Sequence, residues 1–103
     1  MNVIDDKLQA GLLYLKSEKY ADASSSFKSV IHLKPDLQYD ILTHIYKQLS
    51  IQFSSLELRA LLAELLVSLE QYPEAIQELE DCFELNPRFS KTYSILGKIH
   101  NKA

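Results

Sequence analysis

His32, His44, His100 and Cys82 are the side chains here best suited to bind a metal or attack a carbonyl carbon, and their spacing supports neither. No two of them stand at the separation of a zinc-ligand pair. No glycine-rich phosphate loop, Walker sequence or nucleophile elbow occurs. Cys82 falls on the apolar side of a helical pattern with Ala75, Ile76, Leu79 and Phe83, where a core thiol outweighs a nucleophile. The run Ser24-Ser25-Ser26 is a solvated helix face in the first instance and a phosphorylation target in the second. Glu74, Glu78, Glu80, Asp81 and Glu84 put five acids on one stretch with no Lys or Arg among them. Two of their pairs are like charges four residues apart, which costs a few tenths of a kcal/mol. The stretch reads as a solvated outer face, with a docking stripe for a basic partner as the alternative. No paired acid and base is found, so the expectation is a non-catalytic chain with no cofactor and no metal.

Composition narrows the class. The 103 residues suffice for one domain with a modest core. Hydrophobic residues make up 47% and charged residues 24%, which excludes disorder. The formal charge of −3 gives no electrostatic case for nucleic acid. No apolar run approaches the ~20 residues of a membrane span. The start, MNVIDDKLQ, lacks the apolar segment of a secretory signal, and a single Cys suits a reducing compartment, so the expected location is cytoplasmic. Two Gly, three Pro and long uninterrupted patterns point to an all-α fold.

Six helical stretches must position these residues. Val3 to Lys16 carries Ile4, Leu8, Leu12 and Leu15 along one flank, with Gly11 and Tyr14 on another. Tyr20 to Leu33 turns Ala23, Phe27, Val30 and Ile31 inward and ends at Lys34-Pro35. An i, i+4 stripe of Leu37, Ile41, Ile45 and Leu49 predicts a helix from about 36 to 50. It stops because Ser54 and Glu57 form a capping box and Phe53 and Leu58 a hydrophobic staple. The alternative is one helix running from Leu37 to Leu69. Leu58, Leu62, Leu65, Leu66 and Leu69 share a broad face of the next helix. Pro73 opens its neighbour, which Asn86-Pro87 closes. Ser90 caps a last helix through His100.

These stretches repeat. Tyr20 and Tyr72, Ala23 and Ala75, Phe27 and Leu79, and Pro35 and Pro87 each lie 52 positions apart. With Ala10-Gly11-x-x-Tyr14 and Leu62-Ala63-x-x-Leu66 ahead of them, the pattern resembles the tetratricopeptide repeat, a helix–turn–helix unit of roughly 34 residues. Tyr93-x-x-Leu96-Gly97 begins a third unit. Lys7, Arg59 and Tyr93 stand where the family has tryptophan, which is a departure. The implied architecture is tetratricopeptide-like antiparallel hairpins stacked as a short α-solenoid, about six helices in all. The first repeat covers about 4–37, an extra helix about 36–50, the second repeat about 56–89, and a terminal helix about 90–101. All belong to one domain. The small residue at Gly11 or Ala63 lets the two helices of a hairpin approach closely.

In this family the first helices of successive repeats line a concave groove for a peptide or partner helix. The resemblance places Leu8, Leu12 and Leu15 there, followed by Glu64 and Val67, then Lys98. Leu8 and Leu12 replace the first Lys and Asn of the family's carboxylate clamp, so an apolar groove for an amphipathic helix or extended apolar peptide is expected. The function implied is a protein-binding scaffold module. The second expectation is a regulatory or assembly segment of a larger multidomain enzyme or secretion machine. In the last helix, Tyr93, Leu96 and Gly97 are expected to face the preceding hairpin. Ile95 and Ile99 then project outward as a self-association edge for a homodimer, in a chain that continues past Ala103.

Phe27 and Leu79 hold equivalent core positions in the two hairpins. Replacing either with Ala is expected to cost about 2–5 kcal/mol in urea unfolding. A loss under 1 kcal/mol at both sites, on the order of a surface change, would show that the alignment of the repeats is wrong.

Overall fold

Asn2 starts the first helix by accepting a hydrogen bond from the Ile4 amide on its side-chain oxygen, at 2.9 Å. Asp5 and Asp6 then sit at the positive end of the helix dipole and Lys16 at the negative end. The computed structural model describes residues 2–102. Among them the fold is all-α: α1 (Val3–Lys16), α2 (Tyr20–Leu33), α3 (Gln38–Ile51), α4 (Leu56–Ser68), α5 (Tyr72–Leu85) and α6 (Ser90–Lys102). A single 3-10 turn, Pro35–Leu37, leads into α3. The chain divides into two compact units, residues 1–51 and 52–103.

Each unit is a helix hairpin followed by a third helix, and the two hairpins share their turn chemistry. At the end of α1, the Ser17 amide donates to Leu13 O and the Lys19 amide to Tyr14 O. At the end of α4, Leu69 donates to Leu65 O and Gln71 to Leu66 O, the same bonds in the same places. Glu18 and Glu70 both sit at φ 61°, the left-handed conformation that ends a helix and that glycine usually fills. The second helices also end alike, Lys34 donating to Val30 O and Asn86 to Cys82 O. Hairpin α1–α2 is therefore the same structural unit as hairpin α4–α5.

The seam of the first hairpin depends on a missing atom. A Cβ on Gly11 would stand 2.6 Å from Phe27 Cε1 and 2.8 Å from Cδ1, inside contact distance. In the second hairpin Ala63 takes the glycine's place and Leu79 the phenylalanine's, and all of Phe27, Ala63 and Leu79 are buried. A slimmer side chain on one helix leaves room for a methyl on the other. Burial of Phe27 and Leu79 is what the repeat alignment requires.

Residues 37–69 form two helices, not one, with the break at 52–55. The cap is Ser55, one residue later than expected, its Oγ accepting from the Leu58 amide at 3.2 Å. The staple is absent, because Phe53 is 68% exposed. Arg59 holds that turn instead, donating from Nε and Nη2 to the Phe53 carbonyl oxygen at 2.9 and 2.7 Å. Helix α4 buries Leu58, Ala60, Leu61, Leu62, Ala63, Leu65, Leu66 and Val67, so its apolar surface wraps well beyond one face and leaves a polar side at Glu57, Glu64 and Ser68.

The last helix docks in another orientation from the one read in the sequence. Ile95 and Ile99 are 1% and 6% exposed and Thr92 is buried, while Tyr93 is 51% exposed. Lys91 reaches Glu57 and Lys98 reaches Glu64 along one edge of α6, which ties that edge to α4. The face between these bonds and α5 carries Thr92, Ile95 and Ile99. A Cβ on Gly97 would meet nothing within 4 Å, so this glycine provides no close approach. The outward patch expected of Ile95 and Ile99 does not exist in this chain.

Gly11→Ala is expected to destabilise by about 1–3 kcal/mol through overpacking. Gly11→Ala with Phe27→Leu copies the Ala63–Leu79 pairing, and should recover most of that loss beyond the cost of Phe27→Leu alone. Additive losses in the double variant, measured by urea unfolding, would mean the two residues do not share one space.

Candidate functional site

Arg59 joins three residues of the second unit through its guanidinium. Besides the Phe53 carbonyl, its Nη1 reaches Glu78 Oε1 at 3.1 Å and Asp81 Oδ2 at 3.4 Å, so one guanidinium ties the entry of α4 to the middle of α5. Arg59 and Glu78 are mostly shielded, with 15% and 12% of their side chains exposed. Burial raises the Glu78 carboxyl above its ordinary 4.5, and Arg59 opposes that rise by charge and hydrogen bond. Cys82 lies in the same region, fully buried. Burial pushes its thiol up to about 11 against the pull of Arg59, so it stays protonated at neutral pH, as fits a core residue. Arg59 stands where the repeat pattern has tryptophan, and it replaces apolar packing with a bridge between the two helices of the hairpin. The pairing removes Glu78 and Asp81 from the acidic stretch and leaves Glu74, Glu80 and Glu84 exposed.

The residues placed in a groove by sequence do not form one open strip. Leu15 and Val67, equivalent positions in the two hairpins, are both buried, and so is Ala60, which the family resemblance also sets on the groove side of α4. Val67 and Ala60 are core because α4 buries more of its circumference than a single stripe, and Leu15 because it lies one turn from Gly11 on the inward stripe of α1. Leu8 is half-buried. Glu64 and Lys98 lie 3.9 Å apart and neutralise each other across α4 and α6.

Leu12 is the exception. In the first unit it lines a cleft of about 310 Å³ between α1 and α3. Leu13, Leu15 and Ile51 supply the rest of the apolar lining, and Lys16, His44 and Lys47 stand around it. Leu13 and Ile51 are 64% and 71% exposed, large aliphatic side chains turned to solvent at the cleft. Neither Lys16 nor Lys47 has an acidic partner among the described residues. The floor therefore accepts apolar side chains and the rim favours negative charge. Leu13 and Ile51 were missed by the sequence reading because each falls off the i, i+4 stripe of its helix. The run Leu12-Leu13-Tyr14-Leu15 was the available signal, since four consecutive large residues wrap a helix beyond any single face.

Residues 56–89, the α4–α5 hairpin, match the family model of the tetratricopeptide repeat. No curated protein and no solved structure matches the chain. Among the described residues no helix is long and apolar enough to cross a membrane. The match covers one hairpin, and the other has the same turn bonds, the same left-handed Glu and the same helix-to-helix seam.

Glu78 holds its proton more tightly in the folded chain than in the unfolded one. Its contribution therefore favours folding at low pH and fades as pH rises through the folded value. Arg59→Met removes the cation that limits this effect and raises the carboxyl further. The variant should lose about 1–3 kcal/mol near pH 8. Near pH 4, below the unfolded value of 4.5, the deficit should shrink towards the parts due to the Phe53 carbonyl and Asp81. Equal deficits at the two pH values in urea titrations would separate Arg59 from Glu78.

Proposed function

We propose that this chain is a non-catalytic protein–protein interaction module, and that the α1–α3 cleft holds an apolar side chain of a partner peptide with acidic residues beside it. The tetratricopeptide match supports the general role, since such repeats serve as interaction scaffolds. The observation that carries the finer reading is the cleft itself: Leu12, Leu13 and Ile51 around an open volume, with unpaired Lys16 and Lys47 at its edge. Solvent-exposed leucine and isoleucine side chains gathered at a cleft lose unfavourable hydration when covered. Unpaired ammonium groups beside them add steering and selectivity more than raw affinity. The occupant that satisfies both is an extended or helical peptide with a large apolar anchor and flanking Asp or Glu. On this reading Leu12 contacts the partner together with Leu13 and Ile51, Leu15 lies deeper in the same cleft, and Leu8 does not line it.

A selection from peptide libraries with a fixed apolar centre, flanked by either acidic or basic residues, tests the reading. Acidic-flanked peptides should be enriched, and their binding should shift the amide resonances of Leu12, Leu13 and Ile51. Lys16→Glu with Lys47→Glu should weaken them about tenfold or more, with helical content unchanged and a reduced dependence on salt. Enrichment of basic-flanked peptides, or shifts confined to other helices, would overturn the assignment of this cleft.

A further inference from the structure

The second unit carries another groove, of opposite charge and on other helices. It runs between α5 and α6 with a volume of about 240 Å³. Ile76, Leu79 and Phe83 from α5 and Leu96 from α6 supply its apolar lining. Glu80 and Glu84 line it as well, one helical turn apart and both exposed. Neither has a Lys or Arg partner among the described residues, because Arg59 is engaged with Glu78 and Asp81 on the other side of α5. Lys91 and Lys98 of α6 are turned to Glu57 and Glu64 of α4, away from the groove. Thr92 also lines it, and its Oγ1 is buried with no hydrogen-bond partner. Phe83 remains 48% exposed.

We propose that the α5–α6 groove is a second docking surface, taking an amphipathic helix of a partner protein whose apolar face is bordered by Lys or Arg one turn apart. Charge complementarity selects this occupant. Two like carboxylates at i, i+4 repel each other, and a basic pair at the same spacing on a helix laid alongside relieves both. The α5 wall from Ile76 to Glu84 spans about 12 Å, roughly two helical turns. That length fits two apolar anchors three or four residues apart. A second copy of this chain is a poorer match. Among the described residues no helix offers two unpaired Lys or Arg side chains one turn apart, Lys98 being held by Glu64. The groove is independent of the α1–α3 cleft, so either reading can fail alone.

The test uses the full chain and a designed probe, a blocked amphipathic helix of about four turns with a leucine face bordered by lysines. A control peptide replaces each lysine with glutamate. Calorimetry at low and moderate salt should show binding of the lysine probe, weakened by salt, and none of the glutamate peptide. Glu80→Lys with Glu84→Lys should reduce affinity about tenfold or more, and Glu80→Gln with Glu84→Gln by an intermediate factor. Both pairs are exposed, and circular dichroism should show the helices intact. Lys16→Glu with Lys47→Glu should leave probe binding undiminished. Four results would overturn the proposal. The lysine probe does not bind at millimolar concentration; the charge-reversed chain binds it as well as the original; both peptides bind equally. In the fourth, sedimentation shows a dimer of the original chain that the Glu80 and Glu84 changes dissociate, and the occupant is then a second copy.

Discussion

The closeness of two helices at Gly11 and Phe27 governs the first hairpin, and the same distance in the second is met by Ala63 and Leu79. A hairpin of two 14-residue helices, such as α1 and α2, has a narrow interface, and its burial depends on how near the axes come. Where the first helix has no side chain, an aromatic ring on the second fills the seam. Where it has a methyl, a leucine does. The pairing is a constraint on volume more than on residue type, and it lets the two hairpins diverge while keeping one geometry. The turn follows from it. Helices held this close must reverse within a few residues, and both hairpins do so through a Glu forced into the left-handed region.

Charge is sorted around that frame. Arg59 takes up two of the five acids of α5, and the three left over face solvent. A tryptophan at position 59 would have packed the same gap by apolar contact. The guanidinium instead fixes the 52–55 turn and α5 together, at the cost of burying part of Glu78. Buried pairs of this kind are weak as net stabilisers and strong as determinants of arrangement, because breaking one leaves an unpaired charge behind. Here the arrangement includes which side of α5 remains acidic.

Hairpins, turns and core partners were legible in the sequence because they rest on local periodicity and on the fixed spacing of Tyr, Ala and Pro. Rotation of a helix about its own axis was not. Reading Tyr93, Leu96 and Gly97 as the inward face of α6 assumed that glycine marks a close approach, whereas Gly97 faces open space and Ile95 and Ile99 are buried. The discriminating contacts, Lys91 with Glu57 and Lys98 with Glu64, join residues more than thirty positions apart. Single-sequence patterns do not pair such distant charges. The same limit applies at Leu15 and Val67, which the family resemblance put in the groove and packing put inside. Ser54 against Ser55 as the cap of α4 is a smaller miss, because adjacent serines offer the same chemistry and only the turn geometry chooses between them.

Both candidate surfaces arise from one structural circumstance. Each unit adds a third helix beside a hairpin that is already closed, and the side chains at that junction belong to no internal pair. In the first unit the junction of α1 and α3 gathers Leu12, Leu13 and Ile51 with lysines at the rim. In the second the junction of α5 and α6 gathers Ile76, Phe83 and Leu96 with glutamates. The hairpins themselves have little freedom to vary, since their seams set residue volumes and their turns set backbone angles. The flanks of the third helix are under no such constraint. Polar character can change there without disturbing Phe27, Leu79 or the turn bonds, so under the two proposals specificity for a partner would lie at the junctions, whereas stability lies at the seams. Opposite rim charges on two copies of one architecture are what that division permits.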